Sequence, residues 1–305
     1  MPQPSHPPFV QAVARVALAA AAACAAALPA SANVLTATQL NLYRDGTSAD
    51  WLQGNQLLLG DSFNEFGPFI GPNFTGSGLS ANYTLQGLDA GADPALAVRE
   101  QNGTLLLDPT YGAPSANAQG GLGRSLRLRL QTNIDPALPN AGLPSSRSFA
   151  AALRLSLASM PTVGGAFGLR MSDGFSNNND VIELSVAGGA SSDTIVFRMQ
   201  DFQANQITVL NTAPLVAPAG ADTLVLVLSH GTANTSRIDG AYGYADATGA
   251  LMGDLVSFAN PATAFRGESF TRVELRATAP VPEPATWALF AGGLGLLLTR
   301  MRKRS

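Results

Sequence analysis

Short runs of alternating apolar and polar residues dominate the chain from residue 126 onward. Residues 126–130 read Leu-Arg-Leu-Arg-Leu, so the leucines face a core and Arg127 and Arg129 face outward. Residues 224–228 are continuously apolar, as in a central strand covered on both faces. Alternation of the first kind predicts further strands at 149–157, 167–171, 182–186, 195–199, 242–245, 255–258 and 273–276.

The region from residue 33 to residue 144 is less regular, and clusters of Gly, Asn and Pro separate the strands throughout. No segment after residue 32 keeps a helical apolar period over three turns. Residues 33–278 are therefore predicted to form one all-β domain, an antiparallel β-sandwich or jelly roll. The strands predicted in its first part are 40–43, 83–88, 96–98, 104–107 and 126–130.

The start of the chain has the pattern of a secretory signal. Residues 16–28 are almost pure alanine and leucine, and Ala30 and Ala32 form a small-x-small cleavage site. Residues 1–32 are therefore predicted to be a signal peptide that signal peptidase removes. Cys24 raises the alternative of a lipoprotein. Three alanines precede that cysteine and the apolar run continues past it, which favours signal peptidase.

Composition narrows the possible chemistry of the exported part. The net charge is −3 and only 13% of residues are charged, which excludes a nucleic-acid-binding surface as a global property. Cys24 is the only cysteine, so the mature chain has no disulfide. His230 is the only histidine after residue 32, which excludes a zinc site of the usual His/Cys kind. The sequence contains no Gly-x-Ser-x-Gly elbow that would present a nucleophile to this histidine. We therefore expect His230 to lie at a strand end with its hydrogen bonds made inside the fold.

Three zones follow one another in the last residues of the chain. A Pro-Glu-Pro triplet, Pro282, Glu283 and Pro284, precedes an uncharged apolar run at 285–299. The chain then ends in a basic cluster: Arg300, Arg302, Lys303 and Arg304. This tail, residues 279–305, resembles the PEP-CTERM sorting signal of exported bacterial proteins. The alternatives are a buried core helix or an ordinary tail anchor, and neither accounts for the triplet.

The resemblance implies a fate for the protein. A transmembrane helix in the tail would hold it transiently in the inner membrane, with the basic cluster as a cytoplasmic stop signal. An exosortase, which is a membrane-embedded transpeptidase, would then process it near the triplet. The resemblance further implies a cell-surface or extracellular protein that is associated with exopolysaccharide or biofilm.

The body resembles a second family in the order of its strands and loops. Residues 148–276 are similar to the concanavalin A-like sandwich of the legume-lectin and laminin-G type. Retaining glucanases of this fold carry Glu-x-Asp-x-x-Glu on one strand, and that triplet is absent here. The nearest approach, Asp180 and Glu183, has a spacing that puts the two carboxylates on opposite faces of a strand. We therefore expect no catalytic residues.

One loop offers candidate metal ligands. Asp173, Asn177 and Asp180 supply hard oxygen atoms of the kind that Ca²⁺ prefers. The loop loosely resembles the metal loop of legume lectins, but Leu169 and Arg170 stand where that family has an acidic residue. The alternative, which we favour, is a hairpin loop whose Asn and Asp side chains cap the turn.

Exposed aromatic side chains are the other route to sugar binding, because they stack on pyranose faces. Tyr242 and Tyr244 are two residues apart and so share a sheet face, which is more typical of core packing. The remaining candidates are Trp51, Tyr83 and Tyr111. The prediction is thus a non-enzymatic exported matrix protein without a cofactor. A lectin-like carbohydrate-binding module or a glycoside hydrolase is the alternative.

Overall fold

The structure is a computed structural model, and it describes segments of the chain between residues 34 and 280. The described residues are 34–47, 57–63, 67–68, 73–76, 81–116, 122–130, 143, 146–172, 180–201, 206–234, 236–263 and 271–280. Within them the chain forms strands that pair antiparallel in two sheets. None of the described helices is long and apolar enough to cross a membrane.

Sheet I brings together strands from the whole length of the described chain. Its strands in spatial order are β17 (Val256–Ser257), β16 (Ile238–Asp246), β15 (Ala221–His230), β10 (Phe149–Ser156), β1 (Leu35–Arg44), β7 (Leu105–Leu107), β6 (Val98–Glu100) and β3 (Gly67–Pro68). A further strand, β2 (Leu57–Asp61), also pairs with β1.

Sheet II is assembled in the same way. In spatial order it contains β14 (Gln206–Pro214), β13 (Thr194–Asp201), β12 (Val181–Ala187), β11 (Ala166–Ser172), β18 (Arg272–Pro280), β9 (Leu122–Leu130), β5 (Ala81–Gln86) and β4 (Asn73–Gly76). A further strand, β8 (Ala113–Ala116), also pairs with β9. Both sheets therefore combine strands from the irregular first part of the chain with strands from the regular second part.

Apolar side chains from the two sheets meet in one core. Leu153 of β10 and Leu226 of β15 belong to the same buried cluster as Leu128 of β9 and Leu169 of β11, and each is fully buried. Burying one such side chain contributes about 1.5–3 kcal/mol. Two antiparallel sheets on a common core make the fold an all-β sandwich, which confirms the predicted fold class at this level.

All the strands predicted from alternation in the second half are present. Two differences between the prediction and the structure have local causes. The strand predicted at 96–98 begins as a helical turn, Pro94–Ala97. The Asp93 side chain accepts a hydrogen bond from the Ala95 N–H, and Pro94 suits the first helical position. Strand β14 is absent from the prediction, and it is an edge strand whose Ile207 and Val209 are exposed instead of buried in a core.

Candidate functional site

A cleft of about 450 Å³ lies on the outer face of sheet I, the face turned away from the core. Its floor consists of small apolar side chains on adjacent strands. Ala152 of β10 lies opposite Val227 of β15, which lies opposite Ala241 of β16. Residues 224–228 were predicted to be covered on both faces. Four of the five residues are buried: the leucines face the core and Val225 is buried on the outer face, whereas half-buried Val227 lines the cleft.

Polar groups surround this apolar floor. Asn41 and Tyr43 project from β1, on the face opposite the buried Leu40 and Leu42. The Asn41 Nδ2 group donates a hydrogen bond to the Tyr43 hydroxyl at 2.8 Å. Among the described atoms, the Asn41 Oδ1 atom is buried from solvent and accepts no hydrogen bond. Burial raises the pKa of Tyr43, although the hydrogen bond to Asn41 and the nearby Arg154 oppose that effect. The raised pKa keeps the hydroxyl protonated.

Arg154, which lines the cleft, holds a neighbouring turn against sheet I. Arg154 of β10 donates from Nη1 to the Gly249 carbonyl at 2.6 Å. The Asp246 carboxylate accepts hydrogen bonds from the N–H groups of Thr248 and Ala250, which closes the turn. Gly249 has a φ of 83°, a conformation that favours glycine. This turn beside the cleft is therefore fixed by local turn chemistry and one long-range hydrogen bond.

The charged groups that line the cleft balance one another. Arg237 makes a bidentate ion pair with Asp239, with the closest Nη2 to Oδ1 distance at 2.7 Å. Arg154 and Asp254 are the other charged residues among the described lining. The volume lies in the range of small-molecule sites. An apolar floor with a neutral, hydrogen-bonding rim suits a ligand that is rich in hydroxyl groups.

The outer face of sheet II is built differently, as a row of alternating charges. Five residues lie side by side on five adjacent strands, because each is the cross-strand partner of the next. We call this row the charge ladder: Arg198, Glu183, Arg170, Glu274 and Arg129.

Short ion pairs connect the rungs of the charge ladder. Glu183 accepts hydrogen bonds from Arg198 at 2.7 Å and from Arg276, in the neighbouring row, at 3.0 Å. Glu274 accepts from Arg129 at 2.7 Å and from Arg170 at 3.0 Å. Both carboxylate side chains are almost fully buried, at 4% and 3% exposed.

Burial alone would raise the pKa of both glutamates. The guanidinium groups of Arg198, Arg276 and Arg170 outweigh that effect and hold the pKa of Glu183 well below its usual range. The pKa of Glu274 is also lowered, mainly by Arg170 and Arg129 against the effect of burial. Both carboxylates are therefore ionised at neutral pH.

The residues predicted as sites from the sequence do not meet in the cleft. The processing triplet, the basic cluster, Ala30 and Ala32 lie outside the described residues. So do Asp173 and Asn177 of the candidate calcium loop, whereas Asp180 is fully buried and already has an interaction partner in the fold. In the described part of the chain, no three His, Cys, Asp or Glu side chains are grouped to hold a metal ion.

The histidine and the aromatic candidates with described side chains are part of the packing. His230 is buried, with Nδ1 2.9 Å from the Arg237 carbonyl oxygen and its ring stacked on Phe149. Tyr242 and Tyr244 contact each other edge to face and pack against the core, as predicted. Tyr83 is fully buried and donates its hydroxyl to Asp61 at 2.8 Å. Tyr111 is partly buried against the core, and Trp51 lies outside the described residues.

The sequence carried a partial signal for the cleft. Alternation in the predicted strands at 40–43 and 149–157 marks Asn41, Tyr43 and Arg154 as outward-facing. It does not show that β1, β10, β15 and β16 are neighbours, so it could not bring these residues together. Neither a known protein family nor a curated protein matches this chain.

Proposed function

We propose that this chain is an exported bacterial surface or extracellular-matrix protein, processed at its C-terminus and associated with exopolysaccharide. The observation that carries the proposal is the order of Pro282-Glu283-Pro284, an apolar run and a terminal basic cluster. The Ala30 and Ala32 cleavage pattern at the other end supports export. In this proposal signal peptidase and an exosortase are the processing partners, and the membrane anchor is transient.

The body fits a non-enzymatic role in this setting. We assign it to the concanavalin A-like jelly-roll type, supported by two antiparallel sheets on one core and by the strand order noted above. Its only histidine after residue 32 is buried and engaged in packing. The glutamates of the charge ladder are bound by arginines, which suits a structural role better than a catalytic one.

The intact mass of the mature product tests the sorting proposal. The wild type and a Glu283→Ala variant are expressed in a host that contains an exosortase. We expect the wild-type mass to correspond to a chain that begins near Asn33 and ends near residues 281–284. The variant should have the mass of a chain that keeps its tail. If the masses of both proteins included Arg300 to Ser305, the anchor would be unprocessed and the proposal would be refuted.

The cleft on sheet I favours a second candidate function, a carbohydrate-binding module. Its apolar floor, the Asn41 and Tyr43 hydrogen-bonding pair and its balanced charges suit a neutral sugar better than an ionic ligand. The size of the cleft corresponds to a short oligosaccharide segment.

Filling the cleft tests this second function. Ala152→Trp places a large side chain on the half-buried floor, and Ala90→Trp, at an exposed turn position, is the matched control. We expect binding of neutral oligosaccharides in a glycan array to be lost only in Ala152→Trp. Equal binding by both variants would exclude the cleft as the sugar-binding site. New reducing ends during incubation would instead indicate a glycoside hydrolase.

A separate experiment tests the candidate calcium loop. Bound Ca²⁺ stabilises the folded state, so excess calcium should raise the melting temperature relative to chelator if Asp173, Asn177 and Asp180 bind the ion. An unchanged melting temperature would support a hairpin loop that is capped by its own side chains.

A further inference from the structure

Two arginines face each other directly in the row beside the charge ladder. Arg127 of β9 is the cross-strand partner of Arg276 of β18. Like charges at directly opposite positions destabilise an antiparallel pair. The pairing therefore needs a source of negative charge close to both side chains.

The glutamates of the ladder supply only part of that charge. The Arg276 Nη1 group donates to Glu183 at 3.0 Å, but that carboxylate also binds Arg198 and lies 3.4 Å from Arg170 Nε. The Arg127 Nη1 atom is 4.0 Å from Glu274 Oε2, too far for a hydrogen bond. Each carboxylate is thus shared among several guanidinium groups.

The charge count of this face is strongly positive. Five arginines surround two carboxylates in the described network, an excess of three positive charges in a chain whose net charge is −3. Buried charge without compensation is costly. Burial lowers the pKa of Arg276, and the nearby Arg170 and Arg198 add to that effect, whereas Glu183 opposes it. An anion would supply the missing charge.

Hydrogen-bond donors remain for such an anion. Arg276 uses Nη1 for Glu183 and Nε for the Ser125 hydroxyl, and no described bond uses its Nη2 group. Arg127 makes no described hydrogen bond through its guanidinium, and its side chain is 37% exposed, against 13% for Arg276. Gly168, the partner of Arg276 on β11, carries no side chain, so Arg276 can extend across that strand to Glu183 on β12. Arg127 is thus the accessible member of the pair, and Arg276 is the anchored member.

We propose that Arg127 and Arg276 form an anion-binding site for the carboxylate or sulfate groups of an acidic polysaccharide. A guanidinium group binds such groups in a bidentate manner. This inference rests on the proposed association with exopolysaccharide and adds that the polymer is acidic. The site is distinct from the cleft on sheet I, whose balanced charges suit a neutral sugar.

The test uses the full chain purified in detergent, with polygalacturonate as the probe and its methyl ester as the matched neutral probe. The wild type should bind polygalacturonate, more weakly as salt is raised, and should not bind the ester. Binding to both polymers alike would overturn the proposal, and so would binding to neither. This comparison needs no variant and is independent of any effect on folding.

Two variants then locate the site. Arg127→Gln should weaken polygalacturonate binding about tenfold, the size of one charge-assisted hydrogen bond. Arg99→Gln, at an exposed position on β6 of sheet I, changes the net charge equally and should have no effect. Equal losses in the two variants would overturn the site, because they would indicate attraction by overall charge. Tight inorganic sulfate binding without polymer binding would also overturn it. The proposed function is tested by the mass of the processed protein, whereas this inference is tested by binding to an acidic polymer. The two can therefore fail separately.

Discussion

The outer faces of the two sheets are built on opposite principles, although their inner faces contribute to one core. Sheet I turns small apolar residues outward at its centre, as in the row Ala152, Val227 and Ala241, and a cleft lies above them. Sheet II turns long charged side chains outward, and these pair laterally across five strands. The first face has a cleft between its side chains, whereas the centre of the second is filled by its own ion pairs.

This difference separates the two outer faces energetically. The buried carboxylates of sheet II depend on several guanidinium groups, so the loss of one carboxylate leaves other charges without a partner. The ion pair at the cleft, Arg237 with Asp239, is largely exposed and screened by water, with side chains 49% and 36% accessible. We therefore expect substitutions in the charge ladder to reduce stability more than substitutions of charged residues around the cleft.

The largest expected effect is that of Glu183→Gln. It removes the charge that holds Arg198, Arg170 and Arg276, and breaking a buried pair costs about 3–5 kcal/mol of unfolding free energy. The matched control is Asp239→Asn, which should cost less than about 1 kcal/mol because its ion pair is exposed. Urea denaturation measures both, and similar losses would contradict the distinction between the two faces.

Acid should weaken sheet II in the same way. The pKa values of Glu183 and Glu274 are lower in the folded than in the unfolded state. Their contribution is therefore fully present above the unfolded glutamate pKa, about 4.3, and is lost as pH falls through the lower folded values. Melting temperature should fall below about pH 4, and the fall should be shallower in Glu183→Gln. An equally steep fall in that variant would show that other groups control acid unfolding.

Two glycines make a matched pair for packing. A Cβ atom on Gly168 of sheet II would lie 2.5 Å from the Leu184 carbonyl oxygen and 2.5 Å from Ser185 Cβ, so the backbone would have to shift. Gly168→Ala should cost about 1–3 kcal/mol. A Cβ atom on Gly243 of sheet I would meet Leu255 Cδ2 at 2.7 Å, the end of a flexible side chain that can rotate. Equal losses in the two alanine variants, measured by thermal unfolding, would contradict this difference.

The smallest expected effect is that of Arg154→Gln at the cleft wall. It removes the hydrogen bond to the Gly249 carbonyl and should cost about 0.5–1.5 kcal/mol. The turn closed by Asp246 should exchange its amide protons faster, because its long-range tether is lost. Arg237→Gln, which alters only an exposed ion pair at the rim, should leave that exchange unchanged. Unchanged exchange in Arg154→Gln would mean that the turn holds its position without the sheet.

Much of the fold follows from local pattern, whereas the sites on its surface do not. Alternation placed Leu128 inward and Arg127 and Arg129 outward, as observed. It also placed Glu183 outward, yet that side chain is almost fully buried among arginines. Outward-facing does not mean exposed when neighbouring strands contribute long side chains of opposite charge.

The sequence by itself determined the regularly alternating strands, the core face of each and the all-β class, because alternation with a period of two is a local property of the chain. Only the tertiary structure decided which strands are neighbours and in what register. Asn41 and Asp239 line one cleft, and Arg129 and Glu274 form one ion pair, although about 200 and 145 residues separate them. Register across strands so distant in sequence is set by packing of the whole sandwich, and it alone turns outward polar residues into a cleft and a charge ladder.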